Sequence, residues 1–505
     1  MIDYYINTRI LPLLAYINLS LILIFLYISF PIILTKFKKI GKKYWLIILI
    51  VLLIGVLIRL FLVPHHHRFF IDESFYIGAA KNLLFYFKST IATGIYPKQI
   101  GWPALLTIPF FLFGVNNYVA IYTSIFFGSL SVILMYILVY LLSKNARLAI
   151  ISSFLLAILP LHAIYSGTAE TIIASVFFLL ATLISFIIMI KNQQTRLIFL
   201  TVFLFLFTIQ IRLENILILI PMLVFIFLNH IKISWKKWRF PLILSLPLLT
   251  SYLFQFFRLI NFYDNSYNGN VNLFGFNEIL IRFMFDFSFL TILFLVLTIT
   301  GIIALYSLNK RTLALYLSWF SVYLGYYLFY QYSNDFHLLT GLIALVPIMA
   351  YGVYYFSTFL SLKLNLKKTF LLDMGILIII LFLFFVSFDN RPIPGFLLET
   401  KAMEKLKEDI PKDCIVITEI PVIITSIAEV SVIDTTYFLR YIDEKLPGYE
   451  NKCLLYYEDF YCKNDTGTKR SLKRCDAMHS GFKLDEYKKY NEMDVTFYLY
   501  NISKI

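Results

Sequence analysis

Charge is scarce in this chain, and negative charge scarcer still. Only 15% of the 505 residues are charged, against 60% hydrophobic and 18% aromatic. That leaves too much apolar surface for a soluble globule and defines a polytopic α-helical membrane protein. Only ten of the thirty Asp and Glu precede residue 389. Cysteine is absent before residue 414: Cys414, Cys453, Cys462 and Cys475 all belong to the tail. An even count confined to one tail fits a tail facing an oxidising side, although free thiols are also compatible with the sequence. Three pairings are open, of which Cys453 to Cys462 would close a short loop. The N-terminus lacks the basic start and small-residue cleavage pattern of a removable signal peptide, so the first span reads as an uncleaved signal-anchor. No GxGxxG or phosphate-loop motif opens the tail, which removes the reason to read it as nucleotide-binding.

Twelve apolar runs remain, at 12–34, 44–63, 118–141, 147–164, 171–190, 196–211, 215–229, 240–258, 287–307, 312–330, 337–358 and 370–387. They predict about twelve transmembrane helices, several of them short. The net charge of +14 is read by position. Basic clusters fall in every second gap: Lys36 to Lys43, Lys144 and Arg147, Lys191 and Arg196, Lys232 to Arg239, Lys310 and Arg311, and Lys363 to Lys368. Lys and Arg sort to the cytoplasmic side, so both termini are expected outside and no nucleic-acid partner is needed to explain the charge. Of the ten early acids only Asp373 lies near the inner side. Carboxylates approach hydrocarbon at a cost and usually for a function, so chemistry is expected on the outer face.

The chain is organised around residues 59–103. An apolar run ends at Pro64, and His65, His66, His67, Arg68, Asp72 and Glu73 follow within ten residues. Apolar positions then recur at steps of three to four from Phe75 to Phe87, which places Asp72 and Glu73 at the start of an amphipathic helix that lies flat. The pair either caps that helix or holds a catalytic base above a lipid-borne substrate. The outward loop continues to Gly114, and its apolar stretch from Trp102 to Phe113 is too short to cross, hence interfacial or re-entrant. The corner LPLHAIYSGTAE ends at Glu170, and QIRLENILI carries Arg212 and Glu214, which either face a substrate or pair with each other or with neighbouring helices. Arg258 and Arg282 bracket the outward segment 259–286, and the last outward corner holds Asp335 and His337. From Asp389 the composition changes. A helix at 400–410, strands at 414–418, 431–435, 453–457 and 495–502, and a helix after the first strand predict a small extracytoplasmic α/β domain.

The acidic pair in IDESFYIGAAKNL, the long outward loop and then GWPALLTIPFFLFG together resemble the C-type membrane glycosyltransferases that use polyprenyl-phosphate sugars. The nearest groups in pattern are protein O-mannosyltransferases and the lipid A aminoarabinose transferases. Asp72, Glu73 and Tyr76 match the family's DE-x-x-Y pattern, and Gly101, Trp102 and Pro103 its GWP segment. The resemblance covers residues 44–388, with catalytic outer loop 64–117; residues 1–43 are an additional helix and basic loop, and 389–505 match only in position and size. It implies a monomeric multi-pass enzyme of the cell membrane, surrounded by membrane lipids. This enzyme would move a sugar, with inversion, from a polyprenyl (dolichyl-type) phosphate to a lipid-linked, glycan or protein acceptor. Asp72 would be the base and Glu73 its orienting partner. Arg59, Arg212, Arg258, Arg282 and His337 form the pool of phosphate contacts, and Tyr76, Trp102 and Glu170 line the substrate. The family's late-span arginine is replaced here by His337, and no D-x-D metal pattern occurs in the outer loop. No cofactor is therefore expected; the alternative for His65, His66 and His67 is a zinc site lacking a clear fourth ligand. The rival classes are a flippase for lipid-linked sugars and a non-catalytic assembly protein with the same fold.

Overall fold

The computed structural model describes residues 9–37, 40–63, 71–87, 90–91, 94–95, 99–231, 234–266, 288–329, 335–363, 369–389 and 396–504. Within the last range, 412, 422–423, 425–429, 446–452, 460–461, 463–468 and 493–494 are excepted. Every predicted apolar run falls on a helix or a helix pair. The series begins with α1 (Leu11–Phe37), α2 (Lys42–Leu57, continued as a π turn over Ile58–Leu62), α3 (Ile71–Tyr86), α4 (Gly101–Phe113) and α5 (Asn117–Ser143). Next come α6 (Ala146–Ala157), α7 (Pro160–Ser166), α8 (Thr171–Asn192), α9 (Thr195–Ile211), a 3-10 turn (Leu213–Ile218), α10 (Leu219–Leu228) and α11 (Trp235–Ser266). The membrane region closes with α12 (Ser288–Leu308), α13 (Lys310–Phe329), α14 (Asp335–Leu342), α15 (Leu345–Lys363) and α16 (Thr369–Asp389). Among the described residues five helices are long and apolar enough to cross a membrane, or six if α6 and α7 count as one. Broad outer surfaces such as Leu46, Leu49, Leu53 and Phe61 on α2 are exposed and wholly apolar, which lipid tolerates and water does not.

The run predicted as one span at 147–164 is broken. Helix α6 stops at Ala157, Leu159 is extended, and Pro160 starts α7 at an angle of 57°. Proline lacks the N–H that would continue the ladder and disfavours helix in the residue before it, so the break falls where the sequence puts it. Helix α4 has 13 residues, about 20 Å at 1.5 Å per residue, short of a bilayer's hydrocarbon core as expected. Helix α1 packs on α4 and α9: the Tyr16 hydroxyl donates to Thr107 Oγ1 at 3.0 Å, and the side-chain amides of Asn18 and Gln210 lie 3.0 Å apart.

Basic gaps meet one another at one end of the bundle. Lys191 donates to the Leu141 carbonyl and Lys237 to that of Gln193, both helix-end carbonyls in need of a donor, and Arg196 donates to the Ile28 carbonyl within α1. Arg147 grips Asp373 with two nitrogens, and Ser357 joins the pair, so α6, α15 and α16 are tied around a fully buried carboxylate.

The tail forms its own domain with a five-stranded sheet of order β4-β3-β5-β7-β6. Its strands are β3 (Ile415–Thr418), β4 (Ser431–Asp434), β5 (Leu454–Glu458), β6 (Phe482–Glu492) and β7 (Val495–Lys504), numbered after the small hairpin β1 (Thr90–Ile91) and β2 (Gly94–Ile95). Strand β3 runs parallel to β4 and β5, and β7 antiparallel to β5 and β6. One face is covered by α17 (Phe396–Asp409), through Ala402, Met403 and Leu406. The other carries α18 (Thr435–Lys445) and α19 (Lys469–Gly481), through Phe438 and Met478. The disulfides are Cys414–Cys453 and Cys462–Cys475. The short loop between Cys453 and Cys462 is not closed, because Cys453 enters β5 beside Cys414 at the start of β3, where the Ile415 N–H donates to the Cys453 carbonyl.

Helices α12 and α15 touch through glycine on both sides: a Cβ at Gly301 would collide with the Ile348 carbonyl, and one at Gly352 with the Leu297 carbonyl. Backbones meeting this closely tolerate no side chain. Gly352→Ala should therefore lower stability by about 1–3 kcal/mol in thermal unfolding of the detergent-solubilised protein. Gly325→Ala, where nothing lies within 4 Å, should not.

Candidate active site

The two motifs that carry the family resemblance meet on the backbone of one residue, Ala169. Helix α3 buries the face formed by Glu73, Tyr76, Ile77, Ala80 and Leu83 while Lys81, Phe85 and Tyr86 stay exposed. Glu73, only 1% exposed, accepts a hydrogen bond at Oε2 from the Ala169 N–H at 3.0 Å. Trp102, fully buried on α4, donates from Nε1 to the Ala169 carbonyl at 2.8 Å. Both polar groups of Ala169 are thus held by side chains of the 64–117 loop. Gly101 lets α4 come close enough: a Cβ there would lie 2.7 Å from the Gln210 carbonyl carbon, at the end of α9.

The clamped corner needs such partners. Every residue from 148 to 176 is buried, and the break between α6 and α7 frees helix-end carbonyls in a place water does not reach. Arg59 serves them from the π turn after α2. Its guanidinium donates to the Ala157 carbonyl at 3.1 Å, to Gly55 at 2.7 Å and to Ser166 Oγ at 3.1 Å, and meets His162 Nδ1 at 2.6 Å. A guanidinium only donates, so His162 accepts at Nδ1 and is held in the tautomer protonated at Nε2. Glu170 follows Ala169 and is the N-cap of α8, its Oε2 accepting from the Thr171 N–H at 3.4 Å.

The neighbouring corner is built as an ion pair. Arg212, at the end of α9, pairs with Glu214, which also accepts from the Tyr327 hydroxyl at 3.2 Å. Next to it Asn215 accepts from Tyr323 at 3.2 Å and donates to Ser175 at 2.8 Å and to the Thr208 carbonyl at 2.9 Å. Tyr76 of α3 lies within electrostatic reach of Arg212, which links the two corners. Helix α14, the helix of His337, packs against α7 and α8 and so reaches the same region.

Of the sequence-predicted residues, Glu73, Tyr76, Trp102, Glu170 and Arg212 therefore converge. Arg59 is fully buried in the interior, occupied with the corner's backbone. Asp72 is on the first turn of α3, Arg258 on α11 and His337 on α14; their side chains lie outside the described residues, as do Arg282 and His65 to His67 entirely. Among the described residues no group of three or more His, Cys, Asp or Glu is arranged to hold a metal ion. Sequence reasoning missed His162, Asn215, Tyr323 and Tyr327. The one available signal was the spacing of Tyr316, Tyr323 and Tyr327 along a single face of α13, all of them buried.

No family model matches the chain, and no curated protein sequence matches it. Solved structures do. ArnT from Cupriavidus metallidurans in the apo state superposes with a TM-score of 0.61 at 10% identity, covering 91% of this chain and 98% of that one. The same protein bound to undecaprenyl phosphate gives 0.55 at 10% identity over 92% and 98%. The Archaeoglobus fulgidus oligosaccharyltransferase in the apo form gives 0.57 at 13% identity over 92% and 77%. The chain shares the fold of these two proteins over nine-tenths of its length, in keeping with the fold that the sequence resemblance implied.

The clamp makes separable demands on its two side chains. Glu73→Gln keeps an acceptor for the Ala169 N–H and should leave thermal stability near wild type. Trp102→Phe keeps an aromatic ring but orphans the Ala169 carbonyl, at a cost of about 1–3 kcal/mol. Unfolding midpoints of the two purified variants check the ordering, and a Trp102→Phe protein as stable as wild type would contradict it.

Proposed function

We propose that the chain transfers a sugar from a polyprenyl-phosphate donor to a hydroxyl of a lipid-linked, glycan or protein acceptor at the outer membrane face. The observation that carries this reading is the Ala169 clamp, because it joins the Asp72-Glu73-x-x-Tyr76 and Gly101-Trp102-Pro103 motifs at one acid-lined corner. A shared fold with a protein crystallised with undecaprenyl phosphate supports the donor class. Segregation of the basic gaps to the opposite end of the bundle supports twelve crossings with the corner and the disulfide-bearing tail outside.

In this mechanism Asp72 takes the acceptor's hydroxyl proton while the acceptor oxygen attacks the anomeric carbon. The lipid phosphate leaves from the opposite face with the electron pair of its C–O bond, which inverts the centre. Phosphate leaves as a stable anion, so one base is enough. Glu73 is a positioning residue: its carboxylate fixes the first turn of α3 to the corner and thereby sets where Asp72 stands. Glu170 and Tyr76 line the sugar and acceptor. Arg212 contributes positive charge from a position fixed by Glu214, with Arg258, Arg282 and His337 as the further phosphate contacts. Arg59 supports the corner's backbone.

Asp72→Asn keeps size and removes the proton acceptor, so transfer from a radiolabelled polyprenyl-phosphate sugar should fall by about 10²-fold or more. Donor binding, measured separately, should change little, whereas Arg258→Ala should weaken it. A folded Asp72→Asn protein with normal transfer would remove the residue from the mechanism.

A further inference from the structure

The tail contains a second polar centre that sugar transfer does not use. From β3 the chain goes to β4 on one side and afterwards enters β5 on the other, all three strands being parallel. Connections that diverge in this way open a crevice just beyond the carboxyl ends of the strands, the place where ligands bind in open parallel sheets.

The residues that follow the three strands meet there. Asp459, after β5, accepts from the Thr418 hydroxyl at 2.9 Å and from the Glu419 N–H at 3.0 Å, tying the exit of β3 to that of β5. Asp434, ending β4, caps α18 by accepting from the N–H groups of Thr436 and Tyr437 at 2.8 and 3.2 Å. Arg474 of α19 forms an ion pair with Glu419 and donates to the Thr436 hydroxyl at 2.6 Å. The Cys462–Cys475 disulfide fastens the segment after β5 to α19 beside Arg474.

Three polar atoms of this centre have no hydrogen-bond partner among the described residues: Glu419 Oε1, Thr435 Oγ1 and Arg474 Nε. Thr435 is fully buried and the Glu419 side chain is 3% exposed. The Thr435 hydroxyl faces the Glu419 carboxyl without closing a hydrogen bond. Burial pushes the Glu419 carboxyl up to about 7, with Asp459 and Asp434 adding to the rise and Arg474 and Thr435 opposing it. Near neutral pH it therefore both accepts and donates.

What completes this set must match its mixed chemistry. The guanidinium N–H needs an acceptor, the carboxyl oxygen takes a donor, and the threonine hydroxyl takes either. A carboxylate only accepts, and either a carboxylate or a phosphate would approach Glu419, Asp434 and Asp459 against their charge. A metal ion or ammonium leaves the Arg474 N–H unmet and is repelled by it. Hydroxyl groups both donate and accept. We propose that this crevice binds a neutral saccharide through adjacent hydroxyls, recognised by Glu419, Thr435 and Arg474. The choice of a saccharide over another polyol rests on the glycosyl-transfer reading; the hydroxyl chemistry does not.

The test is saturation-transfer NMR on the full-length protein in nanodiscs with a panel of neutral mono- and oligosaccharides, with inorganic phosphate and a simple primary amine as charged probes. A neutral saccharide should bind. Thr435→Val, which keeps the shape and removes the hydroxyl, and Arg474→Lys, which keeps the charge, should each weaken that binding by about 5-fold or more, the worth of one hydrogen bond. Asp72→Asn should bind it like wild type. If no saccharide in the panel binds, if only a charged probe binds, or if both tail variants bind like wild type, the proposal is overturned. A Thr435→Val protein that gains stability while nothing binds would mark the centre as a buried water site, which also overturns it. Saccharide binding that depends on Thr435 and Arg474, in a protein without transfer activity, would keep the crevice and remove the transfer reading.

Discussion

Both backbone hydrogen-bonding groups of Ala169 are taken by side chains of one loop, 96 and 67 residues away in sequence. A buried corner with a broken helix leaves peptide groups that neither water nor regular structure can satisfy, and an unbonded one costs about as much as a lost hydrogen bond. Glu73, Trp102 and Arg59 meet that demand here. In doing so Glu73 and Trp102 add directional contacts to the apolar packing of Tyr76, Ile77, Ala80, Leu105 and Phe110 that holds α3 and α4 on the bundle. The same contacts determine where the first turn of α3 stands, and with it Asp72.

The charge distribution follows the same division. At one end of the bundle Lys191 and Lys237 serve helix-end carbonyls and Arg147 pairs with Asp373. At the other, Arg212 pairs with Glu214 within electrostatic reach of Tyr327 and Tyr76, and Glu73 and Glu170 hold backbone groups at the neighbouring Ala169 corner. A buried ion pair such as Arg212–Glu214 is weak evidence of stability, because desolvating both charges offsets much of their attraction. Its geometry does fix a guanidinium in one place, which a loose surface arginine lacks. Tail and membrane region each have their own core, and the tail's polar centre sits where α18 and α19 pack on the sheet, with the Cys462–Cys475 disulfide fastening α19.

Much of this was legible in the sequence, for physical reasons that differ by element. Long apolar runs located the helices because hydrocarbon demands them, and Pro160 marked the break that hydropathy alone passed over. In the tail, CIVIT and CLLYY announced β3 and β5, since strands buried on both faces read as continuous apolar runs. Strand β6, FKLDEYKKYNE, did not: it is an edge strand rich in Lys, its character set by protecting the edge and not by a core. Of the site, DE-x-x-Y and GWP were readable as motifs, but their shared partner was not, because Ala169 acts through its backbone. The surroundings of Arg59 were hidden for a related reason: a π turn and the Ala157 carbonyl hold it inside the bundle, and neither is marked by a side chain in the sequence. Arg212 and Glu214 do pair with each other, one of the arrangements the sequence left open.

The central claim is that the clamped corner is where the donor's phosphate and the acceptor meet. The most direct measurement is an electron-microscopy structure of the protein with a polyprenyl phosphate bound. The account predicts phosphate density between the first turn of α3, the Ala169–Glu170 corner and Arg212. Phosphate found instead at the basic end of the bundle, beside Arg147 or Lys191, would contradict it.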